Sequence, residues 1–411
     1  MDVVRSILDF NAGRDPERLR MKFAKMRQSS FIFLRGTAHL FHERVQRRGV
    51  LRSAPPAWCC GDMHLENFGS YKGDNRLAYF DLNDFDEAAL APAAWDPLRL
   101  LTSLWLAAPE LHLDAAHTQR LCRALLDGYA DALAAGKAYW LERETASGPV
   151  RALLDQVSLR RRADFLAKRC GPPSRAGRYR RLKIDGQRLL AASDAQKQQV
   201  AGFMQGFAQT QHDPQFFEVL DVARRVAGTG SLGLQRYAIL VRGKGVADGQ
   251  YLLDLKQILP SVLAPAGGCK QPRFGDAAQR LVAVQRRMQA VSMAFLHAVS
   301  LDGRPHVLRG LQPSEDRLDL AALSAHGHAL ADSLITMGRL MAWAQLRSSG
   351  RQGSAAADEL IDFGRRGSGA GKWRDRLVAL SQATAAQVDK DWAVYCQAFD
   401  QGGFDIANHA G

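Results

Sequence analysis

Two short polar motifs that lie close together constrain this chain more than any other feature. The first is 61–69, with the sequence GDMHLENFG, and the second is 82–87, with the sequence LNDFDE. A short loop between Asp62 and Asn67 would return both side chains to one site, and a β-hairpin after Asn67 would bring Asp84 to the same place. The sequence therefore predicts a tight loop followed by a hairpin.

A carboxylate, an amide and a second carboxylate in this arrangement are the groups that phosphoryl transfer requires. Asp62 would accept the proton of an attacking hydroxyl, while Asn67 and Asp84 would supply hard oxygen ligands to a Mg²⁺ ion that bridges nucleotide phosphates. The alternative is that all three cap loops, because Asp and Asn favour turns. His64 is either a metal ligand or a loop brace, and the brace is favoured. We interpret the remaining acids of the two motifs as solvated or structural: Glu66, Asp86 and Glu87.

A glycine-rich motif, GTGSLG, occupies 228–233. Residues 234–241 are rich in β-branched and aromatic types, so a strand follows the motif, whereas a dinucleotide-binding motif would open a helix. A glycine loop between two strands is the kind whose backbone amides cover phosphates. The alternative is a tight β-turn without a ligand. The candidate phosphate-covering residues are Gly228, Thr229, Gly230, Ser231 and Gly233.

A lysine near the end of the following strand completes the candidate nucleotide site. Lys256 closes the strand-like segment YLLDLK and is the candidate cation for the α and β phosphates. The alternative is a surface lysine on an edge strand. No Glu occurs between Glu218 and Glu315, so the helix expected over 276–299 offers Gln285 as the hydrogen-bond partner of Lys256. Asp276 and Glu218 remain possible partners.

The motifs resemble those of known families. GDMHLENFG and the DLNDFDEA that follows resemble the catalytic loop and metal-binding motif of the protein kinase-like fold, in its aminoglycoside and choline kinase form. Cys60 stands where that family usually has His, and Asp96 is similar to a buried Asp that braces the catalytic loop. More narrowly, FIFLRGTAHLF at 31–41, WDPLRL and GTGSLG are similar to an uncharacterised bacterial family, domain of unknown function 2252. That family brings no assigned substrate.

The resemblance implies an α+β, two-lobe protein kinase-like fold with a large helical C-lobe and a small β-rich unit like an N-lobe. In ordinary kinases the glycine loop and the lysine precede the catalytic loop, whereas here they follow it. We therefore expect a circularly permuted chain, which is feasible because domain termini often lie close together. The expected division is 1–215 for a helical lobe with the catalytic loop, 216–312 for the nucleotide-covering lobe, and 313–411 for helices that complete the large lobe.

These motifs predict an ATP- and Mg²⁺-dependent phosphotransferase that acts on a hydroxyl of a small molecule. The chain has 55 basic and 42 acidic residues, a net charge of +13, which favours anionic partners and argues against an aminoglycoside acceptor. Transfer of AMP would use nearly the same groups. Two other hypotheses remain: a pseudokinase whose basic segment 160–183 binds RNA or another polyanion, and a metal-dependent hydrolase that uses Asp62, His64 and Asp84.

Composition and hydrophobic patterning narrow the protein class. No apolar run is long enough to span a membrane, and the basic N-terminal residues lack the apolar core of a signal peptide, so a cytoplasmic protein is expected. The six Cys residues form no CxxC pair, which argues against a zinc site or a disulfide framework.

Hydrophobic periodicity also predicts the secondary structure. The predicted strands are 58–60, 77–82, 237–241, 251–255 and 307–311. The predicted helices are 115–135, 276–299, 321–347 and 374–399, and 364–371 is predicted to be a flexible loop.

Overall fold

Short helices make up the beginning of the chain, as its basic sequence indicates. The computed structural model describes residues 2–45, 49–173, 179–312, 316–325, 328–366 and 372–405. Several of these helices begin at a side chain that accepts a hydrogen bond from the first turn, as Asp15 does from the Arg18 N–H. The helices are Val3–Asn11 (α1), Pro16–Met26 (α2), Ser30–Gly36 (α3), Ala38–Arg44 (α4) and Val50–Ser53 (α5).

Two small antiparallel strand pairs follow these helices. The strands are Pro56–Cys59 (β1), Phe68–Lys72 (β2), Ala78–Leu82 (β3) and Ala89–Pro92 (β4). β1 pairs with β4, and β2 and β3 form the expected hairpin. The sequence predicted β1 and β3 within two residues but not β2, because Gly69 and Lys72 belong to types depleted in strands. The hairpin turn lies at 73–77, where the Gly73 N–H donates to the Leu77 carbonyl.

Helices again dominate the next part of the chain. They are Trp95–Ala107 (α6), Ala115–Ala135 (α7), Gly148–Leu159 (α8), Arg162–Arg169 (α9) and Asp194–Gln209 (α10). α7 has the predicted bounds. α6 is buried along nearly its whole length, so it lies at the centre of the helical core. The basic segment 160–183 contains α9, and its residues 174–178 lie outside the described residues.

A single antiparallel sheet carries the glycine-rich motif. Its strands are Leu189–Ala191 (β5), Val219–Arg225 (β6), Arg236–Val241 (β7), Tyr251–Gln257 (β8), His297–Leu301 (β9) and Arg304–Gly310 (β10). Their spatial order is β5-β6-β7-β8-β10-β9. Two helices, Leu263–Ala266 (α11) and Ala277–Met288 (α12), connect β8 to β9. The three strands predicted in this region are β7, β8 and β10, with bounds shifted by one to three residues.

The helix predicted over 276–299 is wrong in its second half. α12 ends at Met288, and the chain returns to the sheet as β9. The Gln289 side chain, just past the helix end, donates to the Leu82 carbonyl at 2.7 Å. Phe295 has a φ of 59°, which is incompatible with a right-handed helix. The extended backbone of Gln289 ends the helix, and Phe295 prevents it from resuming, where hydrophobic periodicity alone would continue it.

The last part of the chain is helical and packs onto the first part. Its helices are Leu320–Ser324 (α13), Ala329–Arg347 (α14), Ala357–Arg365 (α15) and Lys372–Asp400 (α16), so the helix predicted over 321–347 is divided in two. His326, between α13 and α14, and residues 367–371 of the predicted loop lie outside the described residues. α14 packs closely on α7, because a Cβ at Gly338 would lie 2.2 Å from the Leu125 carbonyl oxygen.

Both ends of the described chain share one hydrophobic core. The Tyr395 hydroxyl on α16 donates to the Phe23 carbonyl on α2 at 2.7 Å, and the Phe404 ring lies 5.0 Å from that of Phe23. The fold is α+β, as predicted, with about 50% helix and 15% strand. None of the described helices combines the length and the hydrophobicity needed to cross a membrane.

Candidate active site

The loop that carries Asp62 is fixed by a buried carboxylate on α6. After β1 the chain turns at Gly61, which has a φ of +83°. Asp96 accepts hydrogen bonds from the Cys60 N–H at 2.6 Å and from the Gly61 N–H at 2.9 Å. Asp96 therefore braces this loop, as expected from the sequence. The brace holds the backbone immediately before Asp62 in one conformation.

Asp62 itself is held by a fully buried arginine. The Arg99 guanidinium donates from Nε to the Asp62 carboxylate at 2.9 Å, pairs with it again through Nη2, and also contacts the Leu34 carbonyl. Burial raises the pKa of Asp62 to about 6, against the opposing effect of Arg99 and with a further increase from Asp84. The Asp62 side chain keeps 17% of its surface exposed. Asp62 is thus an oriented carboxylate with a pKa of about 6.

Asn67 closes the loop onto Asp62. Its side-chain Nδ2 donates to the Asp62 carbonyl at 2.5 Å, which leaves the amide oxygen as the group that can bind a cation. His64 accepts the Glu66 N–H at Nδ1, at 3.1 Å, and burial holds its pKa well below the ordinary value. This contact fits the loop-brace interpretation of His64.

The β2–β3 hairpin brings Asp84 to the same place. The Asn83 N–H at the end of the hairpin donates to the Asn67 carbonyl at 3.0 Å, so the two strand ends are joined directly beside the site. Burial would raise the pKa of Asp84, but Lys256 and Arg309 outweigh it and the pKa is lowered. Asp84 is therefore ionised at neutral pH and, like the amide oxygen of Asn67, is a hard oxygen donor that suits Mg²⁺.

Lys256 reaches the same site from the sheet. Its ammonium forms an ion pair with Asp86, two residues beyond Asp84, and the lysine side chain is 3% exposed. The expected partner Gln285 donates instead to the Gln289 side chain at 3.1 Å. Asp86, which the sequence suggested was solvated or structural, therefore takes the place assigned to Gln285. The position of Asp86, two residues after a metal-binding candidate, could have suggested this pairing.

The glycine loop lies directly over Asp62. The loop joins β6 to β7 and has the predicted strand–turn–strand context. A cavity of about 80 Å³ is lined both by Asp62, Asn67 and Asp84 and by residues 228–231 of the loop. A Cβ built at Gly230 would lie 3.9 Å from the Asp62 carboxylate. The two motifs, distant in sequence, thus share one cavity.

The glycine loop is held by basic side chains of α2 and of the turn that precedes it. Arg14 and Lys22 donate to the Gly230 carbonyl at 2.9 and 3.1 Å. Lys22 is fully buried, and its ammonium also donates to Asn11. Burial holds the pKa of Lys22 well below its ordinary value and lowers that of Arg14 to about 10. Sequence reasoning missed both residues, because nothing in the sequence links them to a loop more than 200 positions away.

The sheet face that carries Lys256 has an excess of positive charge. Asp254 is fully buried two positions before Lys256 and so lies on the same face. Arg225 and Arg236 lie within 3.0 Å of its carboxylate, and Arg309 lies at 3.5 Å. Although burial would raise it, the pKa of Asp254 is held well below its ordinary value by these arginines. Three arginines around one carboxylate leave a net positive face suited to anionic groups.

Sequence reasoning also missed three arginines at the candidate site, namely Arg35, Arg99 and Arg317. Arg35 and Arg317 line the cavity and both pair with Glu66 at 2.9 Å. Arg99 carried a signal that could have revealed it, because it lies three residues after Asp96 and therefore on the same helix face. In the described part of the chain, no group of three or more His, Cys, Asp or Glu side chains forms a metal-binding cluster.

One known family matches this sequence. The family described as "Uncharacterized protein conserved in bacteria (DUF2252)" matches residues 14–398. Comparison with curated proteins and with solved structures finds no match.

Proposed function

We propose that this chain, which belongs to the bacterial DUF2252 family, is a Mg²⁺- and ATP-dependent phosphotransferase. The observation that carries the proposal is the shared cavity: the glycine loop lies over Asp62, Asn67 and Asp84. Phosphoryl transfer is catalysed mainly by positioning and charge stabilisation, which is what these groups offer.

Asp62 is the proposed general base. Its pKa of about 6 places it largely ionised at neutral pH but still basic enough to accept a proton. Arg99 and the backbone braced by Asp96 orient it. When bound, Mg²⁺ would neutralise the charge of the transferred group, held by the Asn67 amide oxygen and the Asp84 carboxylate together with phosphate oxygens and water.

The order of elements in the sheet supports a kinase-like arrangement. In protein kinases a glycine loop covers the phosphates, the lysine lies on the third strand, and a helix follows. Here the glycine loop joins β6 to β7, Lys256 lies on β8, and α12 follows. We propose a two-lobe kinase-like fold in circularly permuted order, with the sheet as the smaller lobe. The packing of both chain ends into one core is compatible with such a permutation.

The ion pair of Lys256 favours an active enzyme over a pseudokinase. Because α12 has no Glu, the sequence predicted no acidic partner for Lys256 on this helix. Asp86 supplies that acid from the metal-binding segment, so Lys256 is held beside Asp84 without a helix-borne Glu. Phosphates that enter the site would replace Asp86 as the partner of the Lys256 ammonium. The net positive sheet face around Asp254 would favour their approach.

The cavity implies that nucleotide binding moves the glycine loop. Its volume of about 80 Å³ is below the roughly 300–1,000 Å³ of typical ligand sites. The contacts of Arg14 and Lys22 with the Gly230 carbonyl are the ones that would break. We propose a hydroxyl of a small, neutral or anionic molecule as the acceptor, because the chain carries a net charge of +13.

Mg·ATP binding to the wild type and to Asp84→Ala tests the proposal. We expect ATP to raise the wild-type melting temperature only when Mg²⁺ is present, by an amount equivalent to about 2.7 kcal/mol at 100 times Kd. Asp84→Ala should lose this shift, whereas Asp389→Ala, an exposed acid on α16, should keep it. A folded wild type without any nucleotide-dependent shift contradicts the proposal. Acceptors labelled from γ-labelled but not α-labelled ATP would identify phosphate rather than AMP transfer.

A further inference from the structure

A large cavity outside the candidate active site has no role in the proposed reaction. It has a volume of about 480 Å³. It lies between the β2–β3 hairpin near its turn, the segment from α8 to α9, and the end of the sheet at which β8 begins and β10 ends. This volume is within the range of sites for small organic ligands. The cavity is therefore large enough for a molecule of mononucleotide size.

The interior of this cavity is mostly apolar and partly aromatic. Buried aliphatic side chains of α8, α9, β8 and the segment before β9 line it, namely Leu154, Leu166, Leu252 and Met293. Phe165 and Tyr251 add aromatic rings, and the Tyr251 ring lies 5.1 Å beneath the Arg162 guanidinium. Such a surface favours the apolar or planar body of a ligand.

The mouth of the cavity is rich in cationic side chains. Arg143, Arg160 and Arg161 line it and pair with carboxylates. Three further cations, Lys72, Arg76 and Arg162, have no ion pair to any of the described residues. Burial lowers the pKa of Lys72, and Arg162 and Arg76 lower it further, so these charges repel one another across the mouth.

The acids that line the cavity do not neutralise this mouth. Asp316 is buried and already bound by Arg160, at 2.6 Å, and by the Ser70 hydroxyl. Glu142 is half-buried at the strand-like bridge beside Tyr79. Neither carboxylate forms an ion pair with Lys72, Arg76 or Arg162 among the described residues. An uncompensated cluster of three cations beside an apolar chamber is a binding environment for an organic anion.

This cavity is separate from the candidate active site. The two cavities share none of the residues that line them. The hairpin stands between them, because its turn end lines the large cavity while its open end carries Asn67 and Asp84. The large cavity extends along β2 as far as Ser70, and Gln312, which also lines it, donates to the Asn83 side chain at 2.8 Å. The two cavities are thus neighbours lined by different residues.

We propose that this cavity is a second ligand site, for a small organic anion that has an apolar, preferably planar body and a phosphate group. The body fills the chamber formed by α8, α9 and the sheet edge, and the phosphate lies at the mouth among Lys72, Arg76 and Arg162. The proposal does not depend on phosphotransferase activity.

Binding of 1-naphthyl phosphate to the full-length chain, followed by calorimetry, tests the proposal. This probe has a planar apolar body and one phosphate. We expect saturable binding that is stronger than that of 1-naphthol or of inorganic phosphate by about tenfold or more, because each of these offers half of the recognition. The double variant Lys72→Gln/Arg162→Gln should weaken the binding by about tenfold or more.

Matched variants assign the binding to this cavity. Arg376→Gln/Lys390→Gln removes the same charge from exposed positions on α16 and should leave the affinity unchanged. Ala78→Trp, which fills the chamber from β3, should abolish binding in a protein whose circular dichroism is unchanged. Absence of saturable binding would overturn the proposal. Equal losses in the two double variants, or a loss caused by Lys256→Met but not by Lys72→Gln/Arg162→Gln, would do so as well.

Discussion

At the residue scale, the ionisation of Asp62 depends on a balance between burial and one arginine. Burial raises the pKa of Asp62 to about 6, and Arg99 opposes this rise. The carboxylate must be ionised to accept a proton, so activity should fall as the pH drops below about 6. Removing the charge of Arg99 would raise the pKa further and require a higher pH for the same activity.

We therefore predict that Arg99→Gln moves the acidic limb of the pH–rate profile upward by about one to two pH units. Arg99→Lys keeps the positive charge and should move it less. Plots of log(kcat/KM) for Mg·ATP turnover against pH give the position of the acidic limb in each variant. An acidic limb at the same pH in Arg99→Gln as in the wild type would show that Arg99 does not tune Asp62.

Spacing along the chain explains which residues of the candidate site the sequence could reveal. Asp62, Asn67 and Asp84 follow from spacing, because a short loop and a hairpin are local structures. Their arrangement around one cavity fits that expectation. The partner of Lys256 does not follow from spacing, since Asp86 lies 170 positions away in the sequence. The position of Gln285 on a helix suggested it as the partner, but its amide nitrogen donates to the side chain of Gln289, just past the helix end.

At the element scale, the glycine loop between β6 and β7 is restrained from outside its own sheet. The Gly230 carbonyl accepts hydrogen bonds from Arg14, in the turn between α1 and α2, and from Lys22 on α2. The sequence revealed the strand–turn–strand context of the loop, because glycines and β-branched residues are local signals. It did not reveal the restraint, which depends on long-range packing.

We predict that Lys22→Met accelerates amide hydrogen exchange in residues 228–233 by about tenfold or more, because one buried hydrogen bond to a charged donor is lost. Lys25→Met makes the same chemical change at an exposed position of α2 and should leave this exchange unchanged. Mass spectrometry measures the amide exchange of residues 228–233 in the two variants. Equal exchange rates in Lys22→Met and Lys25→Met would contradict the proposed restraint.

At the scale of the whole molecule, the first and last helices form one structural unit. Tyr395 on α16 is fully buried and bonds to the Phe23 carbonyl, and Arg44 on α4 pairs with Asp391 at 2.7 Å. The same first helices carry Arg14 and Lys22 to the glycine loop. The end of the chain thus supports the candidate site through the helices that it packs against. Sequence periodicity predicted α16 itself, but not the partner that its apolar face covers.

This coupling predicts that a cavity on α16 destabilises the fold and loosens the glycine loop together. Tyr395→Ala removes a buried aromatic ring and should cost about 3–5 kcal/mol of stability. Val394→Ala, at the adjacent 49% exposed position, should change stability by about 0.5 kcal/mol or less. Thermal unfolding compares the two variants, and amide exchange at 228–233 should increase in Tyr395→Ala alone. If α16 and the first helices were independent, Tyr395→Ala would destabilise α16 without altering exchange in the loop.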